Sequence, residues 1–437
     1  MRAADVRVPH ARLLVVAGAL AGCAALLWLT RTYTFYFDEW TFITTAPDWT
    51  LITYFEPHNE HPAILFQLVY AALLNTVGLR SYTPYMAVLL LAHFANVALL
   101  FELVRRRVGD LTGIAVAALL LVLGAGWEEL LWAFQMAWLA SVALGLGALL
   151  ALQTRRSPAL AALLLTASLA FSGIGVPFAA AATVLLALDP SRRRELLWLA
   201  PLGVAVLVWY IGFGRFGTHP NPQPTAANLL IDPLYSAWGM GQSVAGVIGE
   251  AGWWGPPLLV AAIAAIGWRW MRHGADPFAI GVAAALVAFY LVAGLTRAQL
   301  GYQQSGASRY VYVGAALWLI LLADTAGYLP WRGTWRPALA ACLFLACFNS
   351  GILLFTFANA KAVQMQRATA DLQALAAERA DPCLDPTADP DLLVMPQVHP
   401  PAYYRAVDRY GDPVAGRPVT DRADFDQARA NLRRPGC

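Results

Sequence analysis

Long apolar runs separated by short polar segments fill the chain from Leu13 to Phe357. A run of about 20 apolar residues is long enough to cross a bilayer as a helix. The runs that reach or approach this length are 13–29, 63–79, 85–104, 111–126, 133–152, 158–172, 176–188, 196–213, 257–271, 277–295, 311–327 and 338–357. This pattern predicts an all-α polytopic membrane protein.

The arginines between these runs indicate which runs cross. Short cytoplasmic loops carry an excess of Arg and Lys in membrane proteins. If 63–79 lies on the outer surface, every later arginine cluster is cytoplasmic, and if it crosses, all of them lie outside. The clusters are 105–107, 155–156, 192–194, 269–272 and 332–336. We therefore expect about eleven spans, a cytoplasmic N-terminus, an extracytoplasmic C-terminus, and an interfacial helix 63–79 within a first outer loop 30–84.

Three segments leave alternatives open. The first run follows Arg2, Arg7 and Arg12 and could be a signal peptide, but the residues after Cys23 stay apolar, which favours an uncleaved span. The runs 158–172 and 176–188 are short and could form a helical hairpin that does not cross fully. The Gly-rich segment 234–249 could lie at the outer surface like 63–79. None of these alternatives changes the side assigned to the first outer loop.

The composition narrows the class of protein. Apolar residues make up 59% of the chain and charged residues 13%, against about 25% in soluble domains, which excludes a cytosolic enzyme, a secreted disulfide scaffold and a disordered chain. The basic residues are arginines apart from Lys361, and they lack the interleaved polar and aromatic residues that nucleic-acid readout needs. We expect a multi-pass protein of the plasma (inner) membrane with no nucleic-acid partner.

The chain changes character after residue 357. Pro, Asp and Arg accumulate, so we divide it into a membrane domain, 1–357, and a small extracytoplasmic appendage, 358–437, whose first part, 361–380, is an amphipathic helix. Cys383 and Cys437 are the two cysteines expected outside the membrane. They are disulfide candidates, a pairing that would be worth about 4 kcal/mol in the chain-entropy estimate. Two unpaired thiols are the alternative.

Ionisable and aromatic residues gather on the expected outer face. Carboxylates can take a proton from an attacking hydroxyl, arginines match the geometry of phosphate, and aromatic rings pack on sugars. The sequence therefore suggests a site for a lipid phosphate that carries a sugar. The catalytic candidates are Asp38, Glu39, Glu128 and Glu129, and the substrate-binding candidates are Trp40, His58, Glu60, His61, Arg297, Arg309 and Tyr310.

The arrangement of these motifs resembles the GT-C class of glycosyltransferases. The shared features are an acidic pair after the first span (Asp38, Glu39), a His-Pro before a surface helix (His61), a short acidic second outer loop (Glu128, Glu129), and an Arg-Tyr that opens a late helix (Arg309). The resemblance covers roughly residues 10–357. The segment 58–62 is richer than the usual His-Pro, and the appendage is smaller than a large carbohydrate-binding domain.

The resemblance implies inverting transfer of a sugar from a polyprenyl-phosphate donor to a glycan, lipid or protein acceptor on the extracytoplasmic face. Asp38 would be the general base, Glu128 or Glu129 would occupy the second acidic position, and Arg309 would bind the donor phosphate. The lipid-linked sugar is the only cofactor-like molecule implied, and a divalent cation stays an open question.

Other interpretations remain for the same residues and for the whole chain. The acidic pairs could cap helices, the arginines could snorkel at helix ends, and the His-rich segment could be loop structure or, with less support from its spacing, a metal site. A transporter or flippase of a lipid-linked sugar is an alternative function, and so is a non-catalytic subunit of a cell-envelope synthesis complex. A transporter would be expected to show internal repeats and polar residues at mid-membrane, which the sequence lacks.

Overall fold

The protein is an all-α, multi-pass membrane protein. The computed structural model describes residues 6–216, 225–396 and 398–437, and it is 76% helical. The helices are α1 (Ala11–Leu29), α2 (Asp38–Thr45), α3 (Ile64–Thr76), α4 (Thr83–Val108), α5 (Asp110–Leu121), α6 (Trp127–Leu131), α7 (Met136–Gln153), α8 (Pro158–Phe171), α9 (Gly175–Leu188), α10 (Ala200–Gly212), α11 (Ala226–Gly246), α12 (Gly255–His273), α13 (Pro277–Arg297), α14 (Ser308–Ala326), α15 (Trp335–Glu378), α16 (Pro400–Tyr410) and α17 (Arg422–Asn431). A two-residue hairpin, β1 (Pro57–His58) with β2 (His61–Pro62), interrupts the first outer loop.

Seven helical segments of the described chain are long and apolar enough to cross a membrane. They contain α1, α4, α7, α10, α13, α14 and α15. The segment expected as one span, 111–126, is instead broken: α5 ends at Leu121, and the helical segment that follows is bent from it by 44°, so the two count as at most one further span. The count of eleven spans stays a prediction, since it also needs α8, α9 and α12 to cross.

The two short runs 158–172 and 176–188, which could form a helical hairpin, fold as two short helices. Helices α8 and α9 have 14 residues each, about 21 Å of helix, which is less than the roughly 30 Å of a hydrocarbon core. Ser157 caps α8 by accepting a hydrogen bond from the Leu160 N–H, and Pro158 stands at the first helical position. Helix α9 packs extensively along α13, so the hairpin is part of the bundle whether or not it crosses fully.

Ion pairs join the helix ends that the sequence assigned to the cytoplasm. The carboxylate of Glu102 accepts from Arg12 Nε at 2.6 Å, and Arg107 contacts both Asp276 (2.6 Å) and Asp324 (2.7 Å). Asp276 also caps α13 through the Ala279 N–H. We call this end of the bundle the arginine end. The first outer loop lies at the other end, the loop end. The arginine clusters and the first outer loop thus lie at opposite ends of the bundle, as the charge pattern predicts. Which end faces the cytoplasm remains a prediction.

Two helices expected at the outer surface pack at the loop end. The predicted interfacial helix 63–79 is α3, of 13 residues. Most of the predicted segment 234–249 lies in helix α11, which begins earlier, at Ala226, and ends at Gly246. The side-chain amide of Asn228 donates to the Leu295 carbonyl near the end of α13, and Trp318 Nε1 donates to the Met240 carbonyl. The polar face of α11 is thus buried against α13 and α14.

The division expected at residue 357 falls inside a helix. Helix α15 runs without a break for 44 residues, about 66 Å, so the last apolar run and the amphipathic segment 361–380 form one rod. Cys383 and Cys437 are joined by a disulfide, with their Cα atoms 5.8 Å apart. Close by, the buried carboxylate of Glu378 pairs with both Arg429 and Arg433. These contacts fasten the chain end to the end of α15.

The C-terminal residues pack onto the first outer loop. The Trp40 ring of α2 lies 5.3 Å from the Tyr403 ring of α16. The Leu79 N–H donates to the Tyr410 carbonyl at 2.9 Å. The neighbouring Gly78 has φ +69°, and a Cβ there would overlap that carbonyl, so only glycine fits this approach. The appendage therefore fixes the position of α2, the helix that carries the expected catalytic acids.

Candidate functional site

The acidic pair of the first outer loop stands in the first turn of α2, and its two side chains diverge. Consecutive helical residues point about 100° apart. Asp38 lines a cavity at the loop end, whereas Glu39 is fully buried and turned into the protein. Both acids were catalytic candidates, with Asp38 as the expected general base, and the structure puts only Asp38 at the cavity wall.

Glu39 is surrounded by hydrogen-bond donors. Its carboxylate accepts from the Tyr36 N–H at 3.1 Å, from the Tyr82 hydroxyl at 3.1 Å and from the Tyr70 hydroxyl at 3.4 Å. Burial raises the pKa of Glu39 to about 8, and the hydrogen bond from Tyr36 and the charge of Lys361 offset part of that rise. Glu39 therefore links α2 to α3 and α4 and sets the direction in which its neighbour Asp38 points.

The cavity beside Asp38 has a volume of about 70 Å³ and brings together several residues that are far apart in sequence. Burial raises the pKa of Asp38, and the positive charge of Arg309 opposes that rise. A carboxylate with a raised pKa is a stronger base. The site candidates that line this cavity are Asp38, His58, His61, Arg297, Arg309 and Tyr310.

Arg309 opens α14 and contacts the second acidic loop. The Arg309 N–H donates to Glu128 Oε2 at 3.2 Å, and its Nε lies 3.9 Å from the same oxygen. The Ser308 hydroxyl accepts from the Glu128 N–H at 3.0 Å. The Arg309 Nε is buried and has no hydrogen-bond partner among the described residues. Glu128 thus orients Arg309, and the guanidinium keeps a donor available at the cavity.

The His-rich segment forms the short hairpin of β1 and β2. His58 pairs with His61 across the two strands, and Asn59 takes φ +55° in the turn, a conformation that Asn tolerates better than most residues. Burial lowers the pKa of His58 to about 4 and of His61 to about 3. Both rings are therefore neutral near pH 7 and can exchange hydrogen bonds with a substrate. Glu60 forms an ion pair with Arg297 at 3.2 Å.

A larger apolar groove adjoins the polar cavity. Its volume is about 320 Å³, and it lies between the hairpin, the α8–α9 turn, α10 and α13. Four residues line both spaces: His61, Trp138, Arg297 and Tyr310. Helix α10, which forms the outer wall through Val206, Trp209 and Tyr210, buries only Leu202, so the groove is bounded by a helix that faces the surroundings of the bundle.

Four site candidates line neither the cavity nor the groove: Glu39 and Glu128, described above, and Trp40 and Glu129. Trp40 donates from its indole nitrogen to the Phe35 carbonyl and packs on Tyr403, so it holds α2 against the appendage and does not line the cavity. Glu129 is fully buried, and neither of its carboxylate oxygens has a hydrogen-bond partner among the described residues. Glu129 lines neither the cavity nor the groove, and its role stays a prediction.

Sequence reasoning missed Lys361. Its ammonium lies 3.4 Å from the centre of the Tyr36 ring and 5.6 Å from the Trp132 ring, and it donates to Gln364 Oε1 at 3.0 Å. The side chain is buried close to the two acidic loops. Lys361 is the only lysine in the chain and lies just after the last apolar run. A single lysine at that position was the sequence feature that could have identified it as a candidate site residue.

No cluster of three or more His, Cys, Asp or Glu within the described residues is arranged to hold a metal ion. No protein-family model, curated protein or solved structure matches this chain.

Proposed function

We propose that this chain is a glycosyltransferase of the GT-C class, with about eleven spans in the plasma membrane and its site on the extracytoplasmic face. It transfers a sugar from a polyprenyl-phosphate donor to an acceptor hydroxyl with inversion. The observation that carries the proposal is the union of two spaces. A polar cavity with one acid and two arginines shares four wall residues with an apolar groove of about 320 Å³.

In the proposed orientation, the lipid part of the donor lies in the apolar groove and its sugar lies in the polar cavity. The polyprenyl chain occupies the apolar groove beside α10, which borders the lipid. The phosphate then reaches Arg297 and Arg309, whose planar guanidinium groups suit phosphate oxygens. The sugar extends toward Asp38 and the aromatic wall formed by Trp132 and Phe134. Aromatic faces pack against the apolar side of a sugar ring.

The reaction follows from the position of the acid. The acceptor hydroxyl attacks the anomeric carbon as its proton passes to the carboxylate of Asp38. The bond between the anomeric carbon and the phosphate oxygen breaks, and the phosphate leaves with the electron pair. Arg309 and Arg297 stabilise the charge that develops on the phosphate. Attack on the face opposite the leaving phosphate inverts the anomeric configuration.

The first experiment tests the donor site. The protein is purified in detergent, its lipids are extracted, and polyprenyl phosphate and its sugar adduct are measured by mass spectrometry. We expect the lipid in wild type and in Arg31→Gln, an exposed arginine at the loop end, and about a tenfold loss in Arg309→Gln because a charge-assisted phosphate contact is gone. Absence of the lipid from folded wild type, or equal amounts in Arg309→Gln, contradicts the proposal.

A second experiment separates transfer from transport. Protein in vesicles is supplied with the donor lipid, and release of free polyprenyl phosphate is measured on addition of a membrane acceptor extract. A transferase consumes the donor, and Asp38→Asn stops that consumption. Asp48→Asn, which alters an exposed acid in the same loop, leaves it unchanged. A flippase would move the donor between leaflets without consuming it, and the Asp38 substitution would not matter.

A further inference from the structure

A second groove lies at the arginine end of the bundle, separate from the site described above. Its volume is about 490 Å³, and it runs between α4, α7 and α8. None of its wall residues lines the cavity or the groove at the loop end. We call it the inner groove. Its apolar wall is formed by Ala95, Leu99, Ala143, Leu144, Gly147, Leu150, Ala151, Leu160 and Leu164.

Small residues make room in this wall. Ala143, Gly147 and Ala151 recur every four residues on α7, so they lie on one face of the helix. A Cβ at Gly147 would stand 3.5 Å from the Leu164 side chain, an ordinary van der Waals contact. The open volume thus depends on small side chains along α7.

The rim of the inner groove carries an excess of positive charge. Arg12, Arg106 and Arg156 line it, and Glu102 is the one acid among the wall residues. Glu102 accepts from Arg12 Nε at 2.6 Å and from Arg106 Nε at 3.2 Å. Each guanidinium has five N–H donors, so both arginines keep donors for another group.

Arg156 is the cation that the protein leaves free. Its neighbour Arg155 adopts φ +51° and turns toward Asp189, 3.6 Å away. The Arg156 side chain lines the groove and has no hydrogen bond or ion pair to the described residues, while its backbone N–H donates to the Ala151 carbonyl. Three arginines against one carboxylate leave two positive charges at the mouth of an apolar groove on a membrane protein. That combination matches a phosphodiester attached to acyl chains.

We propose that the inner groove binds an anionic phospholipid. One acyl chain lies along the small residues of α7, and the phosphate accepts hydrogen bonds from Arg156, Arg12 and Arg106. The lipid thereby joins the start of α1 to the ends of α4 and α7, where the protein has more arginines than carboxylates. This site is independent of the proposed sugar transfer, because it shares no residue with it.

The test measures lipid binding by native mass spectrometry on delipidated protein in neutral detergent. Phosphatidylglycerol is the probe, and phosphatidylcholine, which has the same phosphodiester but no net charge, is the comparison. We expect at least about tenfold tighter binding of phosphatidylglycerol. Replacing the three rim arginines, Arg12→Gln, Arg106→Gln and Arg156→Gln together, should abolish that preference.

A matched control removes the same charge elsewhere. The triple variant Arg194→Gln, Arg272→Gln and Arg336→Gln alters three exposed arginines in the loops that the sequence assigns to the same side, and it should bind like wild type. Two single variants guard against misfolding. Arg156→Gln, which removes no side-chain hydrogen bond or ion pair within the described residues, should weaken binding several-fold. Gly147→Leu should do the same by filling the groove while every charge remains.

Three results overturn the proposal. Equal binding of phosphatidylglycerol and phosphatidylcholine would mean that the arginines do not select for charge. An unchanged preference in the rim triple variant would place any lipid elsewhere. An equal loss in the control triple variant would show a general effect of net charge rather than a site.

Discussion

Replacing Glu39 by Gln gives a test of the proposed arrangement that does not depend on knowing the substrate. Burial holds the pKa of Glu39 at about 8, against an ordinary value of 4.5. Between these pH values the unfolded chain has lost the proton while the folded protein keeps it. The folded state then binds more protons than the unfolded state, so stability falls as pH rises from about 4.5 to about 8 and changes no further above that range.

The size of this effect follows from the difference in pKa. A pH interval of about 3.5, at about 1.4 kcal/mol for each unit, corresponds to about 5 kcal/mol at pH 8 and above. Gln cannot ionise, so Glu39→Gln removes that loss. The substitution has its own cost, because an amide NH₂ replaces one of the oxygens that accept from the Tyr36 N–H and the Tyr82 hydroxyl. We assign about 1–2 kcal/mol to that mismatch.

These two terms predict a crossing of the stability curves. At pH 4.5 the Glu39→Gln variant should be less stable than wild type, and at pH 8 it should be more stable by about 3 kcal/mol. The assay is the unfolding temperature of the detergent-solubilised protein from pH 4.5 to pH 9. Glu56→Gln, an exposed carboxylate in the same loop, should follow the wild-type curve. If Glu39→Gln keeps the wild-type pH dependence, the buried carboxyl does not retain its proton and the reasoning fails.

The remaining predictions concern the cavity, the appendage and the buried lysine. Asp38→Asn should lower sugar transfer by about 100-fold or more with an unchanged Tm, and full activity would exclude Asp38 as the base. Cys383→Ser or Cys437→Ser should destabilise the appendage by about 4 kcal/mol, seen as faster proteolysis, and the same digestion pattern with and without reductant would contradict this. Lys361→Met should raise the pKa of Glu39 further, because the lysine charge favours the ionised carboxylate, so the fall in Tm should continue above pH 8. A pH profile that superimposes on wild type would rule out this coupling.

Several parts of the fold could be predicted from local sequence. The signal for each of these parts lies within one stretch of chain. They are the apolar runs, the helix before α4 and the short runs 158–172 and 176–188. The break after Leu121 could not be predicted, because the residues on both sides are apolar and only the neighbouring helices decide where the chain bends. The continuity of α15 was also missed, since hydropathy changes at residue 357 while helix propensity does not.

The candidate site shows the same limit. The sequence proposed Asp38, His61, Arg297, Arg309 and others because they share the expected outer face, and most of them line one cavity. It named Asp38 as the base by resemblance but could not predict which of Asp38 and Glu39 faces the cavity, because side-chain direction depends on how α2 is rotated against its neighbours. The sequence also suggested that Trp40 binds substrate, whereas its ring packs against Tyr403 of the appendage.

The apolar runs and the arginine clusters were enough to predict a multi-pass membrane protein and to predict which helix ends lie on the same side. Both depend on solvation: apolar runs avoid water and arginines avoid the hydrocarbon core, whatever their neighbours are. Packing between distant segments sets which acid faces the cavity, which arginine keeps an unpaired donor among the described residues, and that the sole lysine lies over the Tyr36 ring. Those outcomes depend on packing between segments that are far apart in the chain, such as the hydrogen bond from the Tyr33 hydroxyl to the Ala358 carbonyl across 325 residues, and no local pattern encodes them.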